Sequence, residues 1–238
     1  MTNDERIAEL AQDIYLARHN QENDVADEDL TAFIEQTIRW VNQFTPEIEK
    51  KADWNFVRTN DDTSIGTITA GTTISYPLPS SIRKLVINPQ RDLTIRFDDT
   101  IVSTFRLVNA NQNFNPNDHD IRSRATVLKR NIIFSRSLSD VEIGGSIVAD
   151  TISFIPQLSR NDTSLLDIFD EYPDIRQLYV YGILKNQVLP DIVQGGLTPS
   201  FSQKYAEYLA DCIAENNASA DADDQDRENF GWIAGVGF

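Results

Sequence analysis

The apolar residues of this chain change their spacing twice, and few folds accommodate that. Up to residue 58 they recur at the 3.6-residue period of a helix. From 59 to 163 they alternate at the two-residue period of a strand, and from 164 to 217 the helical period returns. The first change falls within Trp54–Ile87, WNFVRTNDDTSIGTITAGTTISYPLPSSIRKLVI. Strands that follow one another without intervening helices form an antiparallel sheet or small sandwich, and helices need a partner face to bury. The expected fold class is α+β: a discontinuous helical bundle, its N-terminal segment at 1–58 and its C-terminal segment at 164–217, carrying an antiparallel β insertion at 59–163. Residues 218–238 stand apart as an acidic linker and apolar C-terminal anchor, an extended C-terminal tail.

In the N-terminal segment, Ile7, Leu10, Ala11, Ile14 and Ala17 share one helical face, and HNQENDVAD reads as a loop. A longer helix opens on Asp27, Glu28 and Asp29, whose charges suit the positive end of a helix dipole. Its buried stripe is Leu30, Phe33, Ile34, Thr37, Ile38 and Val41. Thr45-Pro46 reads as a restart, with Thr45 as cap and Pro46 in the first turn, where its missing N–H is harmless. Trp54 and Phe56 end this segment and are expected to pack at the seam where the helices hand over to strands.

Within the insertion, TSIGTIT and TTISYPL flank Ala70-Gly71-Thr72 and are expected to form a hairpin with its tip at Ala70-Gly71. Leu93, Ile95 and Phe97, then Ile101, Ser103, Phe105 and Leu107, form a second hairpin around Asp98-Asp99. NANQNFNPNDHD is a polar loop. Val127 to Phe134 folds back near Arg130-Asn131, and Ile147 to Ile155 reads as one final strand between Gly144-Gly145 and Pro156.

After Ser164, Ile175, Leu178, Tyr179, Gly182, Ile183, Asn186 and Leu189 share a helical face opened by Pro173, and Gly182 permits another helix to approach closely. Pro190 and Gly195-Gly196 break the chain. Thr198-Pro199 starts a last helix through Phe201, Tyr205, Tyr208, Leu209 and Cys212. ENNASADADDQDREN then lacks the apolar residues that drive packing. FGWIAGVGF, with Phe230, Trp232, Ile233, Val236 and Phe238, either packs back on its own body or docks on another subunit or protein. The reach of the linker favours the second.

A formal net charge of -16 excludes a general grip on nucleic acid, which needs a lysine and arginine surplus. It suits a dispersed protein, or a surface that nucleic acid must pass without sticking. One cysteine, Cys212, excludes an internal disulfide and a cysteine zinc cluster. No apolar run reaches the ~20 residues of a membrane span, and MTNDERIAEL has no signal-peptide pattern, so a cytoplasmic setting and no membrane are expected. Phosphate loops, zinc-protease helices and serine elbows are missing. Asp118-His119-Asp120 is the nearest approach to a metal or base constellation, yet adjacent loop residues seldom converge on one ion. Arg122, Arg124, Lys129, Arg130 and Arg136 form either a small basic patch or a local balance for neighbouring acids. The reading is of a non-enzyme with no catalytic, cofactor-binding or metal site and no cofactor.

One resemblance adds to this. An amphipathic helix closing on Trp54 and Phe56, then Thr67, Thr69, Ala70 and Gly71, then Tyr76-Pro77-Leu78-Pro79 and Ile82-Arg83-Lys84-Leu85, with Tyr172-Pro173 opening a later helix, resembles the head-to-tail adaptor proteins of tailed bacteriophages, of the connector, gatekeeper or tail-tubular type. The resemblance rests on the order of elements across most of the chain. It implies a structural virion protein of the neck, made in the host cytoplasm. Such subunits form a homo-oligomeric ring, typically dodecameric, that docks below the portal protein and meets tail or nozzle proteins, with DNA only as non-specific passage through the lumen. It also implies that Phe230, Trp232, Ile233, Val236 and Phe238 anchor the subunit on the portal or a neighbouring subunit. The rival readings are another tail-completion or baseplate component and, from acidic abundance alone, a carboxylate-based hydrolase.

Overall fold

The computed structural model describes residues 2–19, 27–59, 64–69, 74–87, 92–109, 123–187 and 201–233; for 18–19, 27–32 and 219–233 the backbone alone is described. The chain is α+β and divides into two compact units, Met1–Phe56 with Ile155–Phe238, and Val57–Phe154. The helical unit therefore reclaims residues 155–163, which alternation had placed with the strands. Ile155 and Leu158 are buried there: the Ile155 N–H donates to Glu49 Oε1 at 2.8 Å, and the Asn42 amide bonds both the N–H and the carbonyl of Leu158.

Five helices make up the helical unit among the described residues: α1 (Asn3–His19), α2 (Asp27–Glu49), α3 (Ser164–Glu171), α4 (Pro173–Gln187) and α5 (Phe201–Ile233). α1 packs on α2, and α4 touches α1, α2, α3 and α5. That central place explains its sequence. Val180 and Leu184 are buried as well as Ile175, Leu178, Tyr179 and Ile183, so α4 is apolar on more than the one expected face. Asn186 is exposed, and Leu189 lies outside the described residues.

Gly182 does permit a close approach. The ring of Phe44, on α2, occupies the space a Cβ at 182 would need. Around it, Phe44 meets Tyr179 and Tyr205 edge-on at 5.5 and 5.9 Å. α1 is tied to the C-terminal half by ion pairs from Arg6 to Asp167 and Asp170 and from Arg176 to Asp13.

Two expectations about helices are corrected. α2 is not restarted at Thr45-Pro46 but runs through Pro46. Phe44, Thr45 and Ile48 are buried on the inner face while Pro46 is exposed, and the Thr45 hydroxyl bonds the Val41 carbonyl instead of capping a new helix. Tertiary packing outweighs the local penalty of an interior proline. At the other end, α5 continues through the acidic stretch to Ile233, so 218–233 is helical rather than extended. That stretch carries Ala218, Ala220 and Ala222, the strongest helix formers, and meets no Gly or Pro before Gly231.

The second unit holds ten strands among the described residues: β1 (Arg58–Thr59), β2 (Ser64–Thr67), β3 (Ser75–Pro77), β4 (Ile82–Leu85), β5 (Leu93–Phe97), β6 (Thr100–Leu107), β7 (Arg124–Leu128), β8 (Asn131–Phe134), β9 (Ser146–Val148) and β10 (Thr151–Ser153). They form a three-stranded sheet, β1-β10-β4, and a seven-stranded sheet, β2-β9-β5-β6-β7-β8-β3. Leu93, Ile95, Phe105, Ile132, Phe134 and Ile147 lie at the heart of its core. The β5–β6 hairpin turns at Asp98-Asp99 as expected, pairing Phe97 with Thr100.

The expected β2–β3 hairpin does not form. β2 pairs with β9 and β3 with β8, so the two become opposite edges of the larger sheet, although the Tyr76 hydroxyl reaches Gly66. The Ala70-Gly71 tip lies outside the described residues. The single strand expected from Ile147 to Ile155 is split. β9 belongs to one sheet and β10 to the other, and between them the buried Asp150 carboxylate takes an ion pair from Arg58 at 3.2 Å. One neighbour pair, β6 with β7, is parallel, so the insertion is not wholly antiparallel. A parallel pair needs a long crossover, and the polar stretch between Leu107 and Arg124 supplies it.

The β7–β8 turn is Lys129-Arg130, one residue earlier than expected, and both have positive φ, 48° and 62°. Turns of this type favour Asn-Gly because side chains crowd the left-handed region. The fold retains arginine there because its guanidinium donates to the carbonyls of Pro79 and Ile82, at 2.8 and 3.0 Å. The Lys129 ammonium makes no such bond among the described residues. Lys129→Asn is therefore expected to stabilise the protein by about 0.5–1 kcal/mol. Urea unfolding of both chains measures this, and a less stable variant contradicts it.

Candidate functional site

The helical unit carries a cavity where the end of α2, the α3–α4 junction and α5 converge. Just past α2, the Trp54 indole N–H donates to the Ile48 carbonyl at 2.9 Å, satisfying one of the acceptors a helix end leaves free. Trp54 is 1% exposed and stacks on Phe56 with centroids 5.6 Å apart and planes 22° from parallel. Phe56 in turn tilts against Tyr172 at 5.8 Å. Tyr172 closes α3 outside the helical region, φ -123° and ψ 80°, and Pro173 follows and opens α4.

α5 seals the other side. Asn216 takes the Asn55 N–H on Oδ1 and the Asn55 side-chain amide on its own carbonyl, both at 2.7 Å, and donates from Nδ2 to Asp53 O. Further along, α5 is held to α4 by Tyr208 stacked on Tyr181 at 5.5 Å and by Lys204 over the same Tyr181 ring. The result is a cavity of about 360 Å³ lined by Trp54, Phe56, Tyr172, Cys212, Glu215 and Asn216, with Asn55 and Ile175 completing its wall.

Burial pushes the Cys212 thiol up to about 12, helped by Asp174, Glu215 and Asp211. A thiol held protonated is a poor nucleophile, so Cys212 belongs to the cavity wall rather than to chemistry. Burial, then the charges of Glu171 and Glu215, also raise the Tyr172 hydroxyl. The lining is thus aromatic within and acidic around.

Trp54 and Phe56, expected at a seam, are brought together within the helical unit. Of the expected anchor, Phe230, Trp232 and Ile233 fall on the last turn of the α5 backbone. Val236 and Phe238 lie outside the described residues, as do Asp118-His119-Asp120 and Arg122. Among the described residues no three His, Cys, Asp or Glu side chains group as metal ligands, and no helix is long and apolar enough to cross a membrane.

Among the described residues, the basic group does not present itself as one open patch. Arg136 pairs with Glu142, and Arg130 binds backbone carbonyls. Sequence reasoning missed Tyr172 as a cavity wall and missed the Asn55–Asn216 clamp, whose partners lie 161 residues apart. No protein-family model matches this chain, and no curated protein matches it.

Proposed function

We propose that this chain is a structural virion protein, a subunit of a head-to-tail adaptor ring of a tailed bacteriophage that docks below the portal and joins it to the tail. The observation that carries the reading is the build of the helical unit. Both ends of the chain close it, and the strands emerge between Phe56 and Ile155 as an insertion. This is the order of elements in the adaptor resemblance. The charge of -16 also supports it, because DNA crossing an acidic lumen lacks the cationic contacts that release counterions and would hold it. Exposed Ile74, Ile101, Leu128 and Val141 on the β unit supply apolar surface of the kind subunit contacts bury.

Light scattering on the purified chain, alone and with portal rings of the same phage, tests the proposal. A ring-sized species or a stable portal complex is expected, whereas a strict monomer that ignores portal rings contradicts it. A chain ending at Asn229 is expected to keep its fold and lose portal attachment. Equal binding by that chain removes the anchor from the proposal.

A further inference from the structure

We propose that the outer face of the seven-stranded sheet docks on helix α5 of a second copy of this chain. The inference rests on the ring reading and specifies its interface. Charge is divided very unequally between the two units. Val57–Phe154 holds eleven of the 21 lysines and arginines and ten of the 37 aspartates and glutamates, so it is close to neutral. The helical unit carries essentially the whole of the -16. Copies meeting helical unit on helical unit would set those charges against each other, whereas a β unit meeting a helical unit does not. That contact is heterologous, the kind that closes into a ring.

The sheet face supplies the local chemistry. Phe105 and Leu107 are turned into the core, so Arg106 between them faces outward, where it is exposed. The parallel register of β6 and β7 sets Arg106 directly beside Arg124. Like charges at facing positions of paired strands work against the fold, and among the described residues the Arg106 side chain makes no ion pair. The same face bears Ile101, in register with Arg96, and Leu128, each 52% exposed. β5, β6 and β7 contain no Asp or Glu. Arginine among exposed aliphatics, with carboxylates missing, is the composition of an interface centre. Duplex phosphates would meet the arginines but leave Ile101 and Leu128 uncovered, and the charge of the whole chain repels them.

α5 offers the complement. Ala206, Glu207, Ala210, Asp211 and Ala214 are all exposed, on the side away from the buried Tyr205 and Cys212. The alanines let a flat sheet approach closely, and the two carboxylates stand at the edge of that stripe. Glu207 takes the Gln203 amide, and neither Glu207 nor Asp211 makes an ion pair among the described residues. Helix positions four apart lie about 6 Å from each other, and neighbouring strands about 4.8 Å, so each carboxylate can meet its own guanidinium.

Sedimentation velocity of the full chain, alone and with portal rings, tests the contact. Arg106→Glu is expected to keep or raise thermal stability, because it turns a like-charge neighbour of Arg124 into an opposite one. Yet it is expected to weaken assembly at least about ten-fold. Glu207→Lys with Asp211→Lys is expected to weaken assembly similarly, and the triple variant to recover most of the loss. Undiminished assembly in Arg106→Glu, a triple variant no better than its parents, or an Arg106→Glu chain of lower stability overturns the proposal. So does unchanged assembly with weakened binding to duplex DNA, which assigns the arginines to phosphates. A ring that survives charge reversal removes this contact and leaves the ring reading standing, whereas a natural chain that stays monomeric with and without portal rings removes the ring reading itself.

Discussion

Replacing Arg136 with methionine is expected to destabilise the β unit by about 3–5 kcal/mol at neutral pH. The reason lies in Glu142, whose side chain is 0% exposed. Its carboxylate receives Arg136 at 2.6 and 3.0 Å through both oxygens, and Ser139 adds its N–H and hydroxyl at 2.6 and 2.9 Å. The guanidinium also lies 4.9 Å over the Phe105 ring, so it bridges the 139–145 segment and the sheet core. Without Arg136 the buried charge keeps only its serine donors, Ser139 and Ser103. Burial alone would push the Glu142 carboxyl up, but the hydrogen bonds from Arg136 and the serines hold it at about 2, against an ordinary value of 4.5.

A carboxylate depressed in the folded state contributes stability above its ordinary value, and that stability drains away as pH falls toward the folded value. In the natural chain on the order of 3 kcal/mol is therefore lost between roughly pH 5 and 2. Arg136→Met is expected to flatten or reverse this slope, because acid then neutralises an unpaired buried charge. The double variant Arg136→Met with Glu142→Gln is expected to recover much of the loss, since it removes the charge along with its partner. Urea unfolding at pH 7 and pH 4 measures all three. A single variant within about 0.5 kcal/mol of the natural chain would show that the pair is not a buried ion pair.

The α+β division was legible because periodicity is a local property, whereas partner choice was not. Ser64–Thr67 and Ser75–Pro77 do form strands, yet a glycine between two short alternating runs says nothing about whether distant β9 and β8 will offer better faces. Ile147 to Ile155 reads as one strand, yet in the structure every side chain from Ile147 to Ile152 is buried, Ala149 and Asp150 included. Without alternation the sequence carries no mark of the change of sheet. Pro46 shows the reverse: a strong local breaker is tolerated because the residues around it on the inner face stay buried. Trp54 and Phe56 were recognisable as an aromatic pair ending a helix. Their third partner, Tyr172, looked like a residue before a helix-starting proline, and its role depends on a contact across more than a hundred residues.

Gly182→Ala is expected to destabilise the helical unit by about 2 kcal/mol, although alanine in a helix interior ordinarily gains about 1 kcal/mol over glycine. The sign turns on one ring. A Cβ at 182 overlaps Phe44, and Phe44 is 4% exposed and held edge-on by Tyr179 and Tyr205. Tyr179 is itself fixed, fully buried with its hydroxyl 3.2 Å from Thr45 Oγ1 on α2. The ring thus has no empty side to move into, and the strain passes to Tyr205, by which α5 joins the cluster. Phe44→Leu alone costs stability by leaving space; combined with Gly182→Ala, the added methyl fills some of that space. The two changes together are expected to cost at least about 1 kcal/mol less than the sum of their separate costs. Thermal unfolding of the four chains decides it: a more stable Gly182→Ala, or strict additivity, would mean that α2 and α4 do not meet at this glycine.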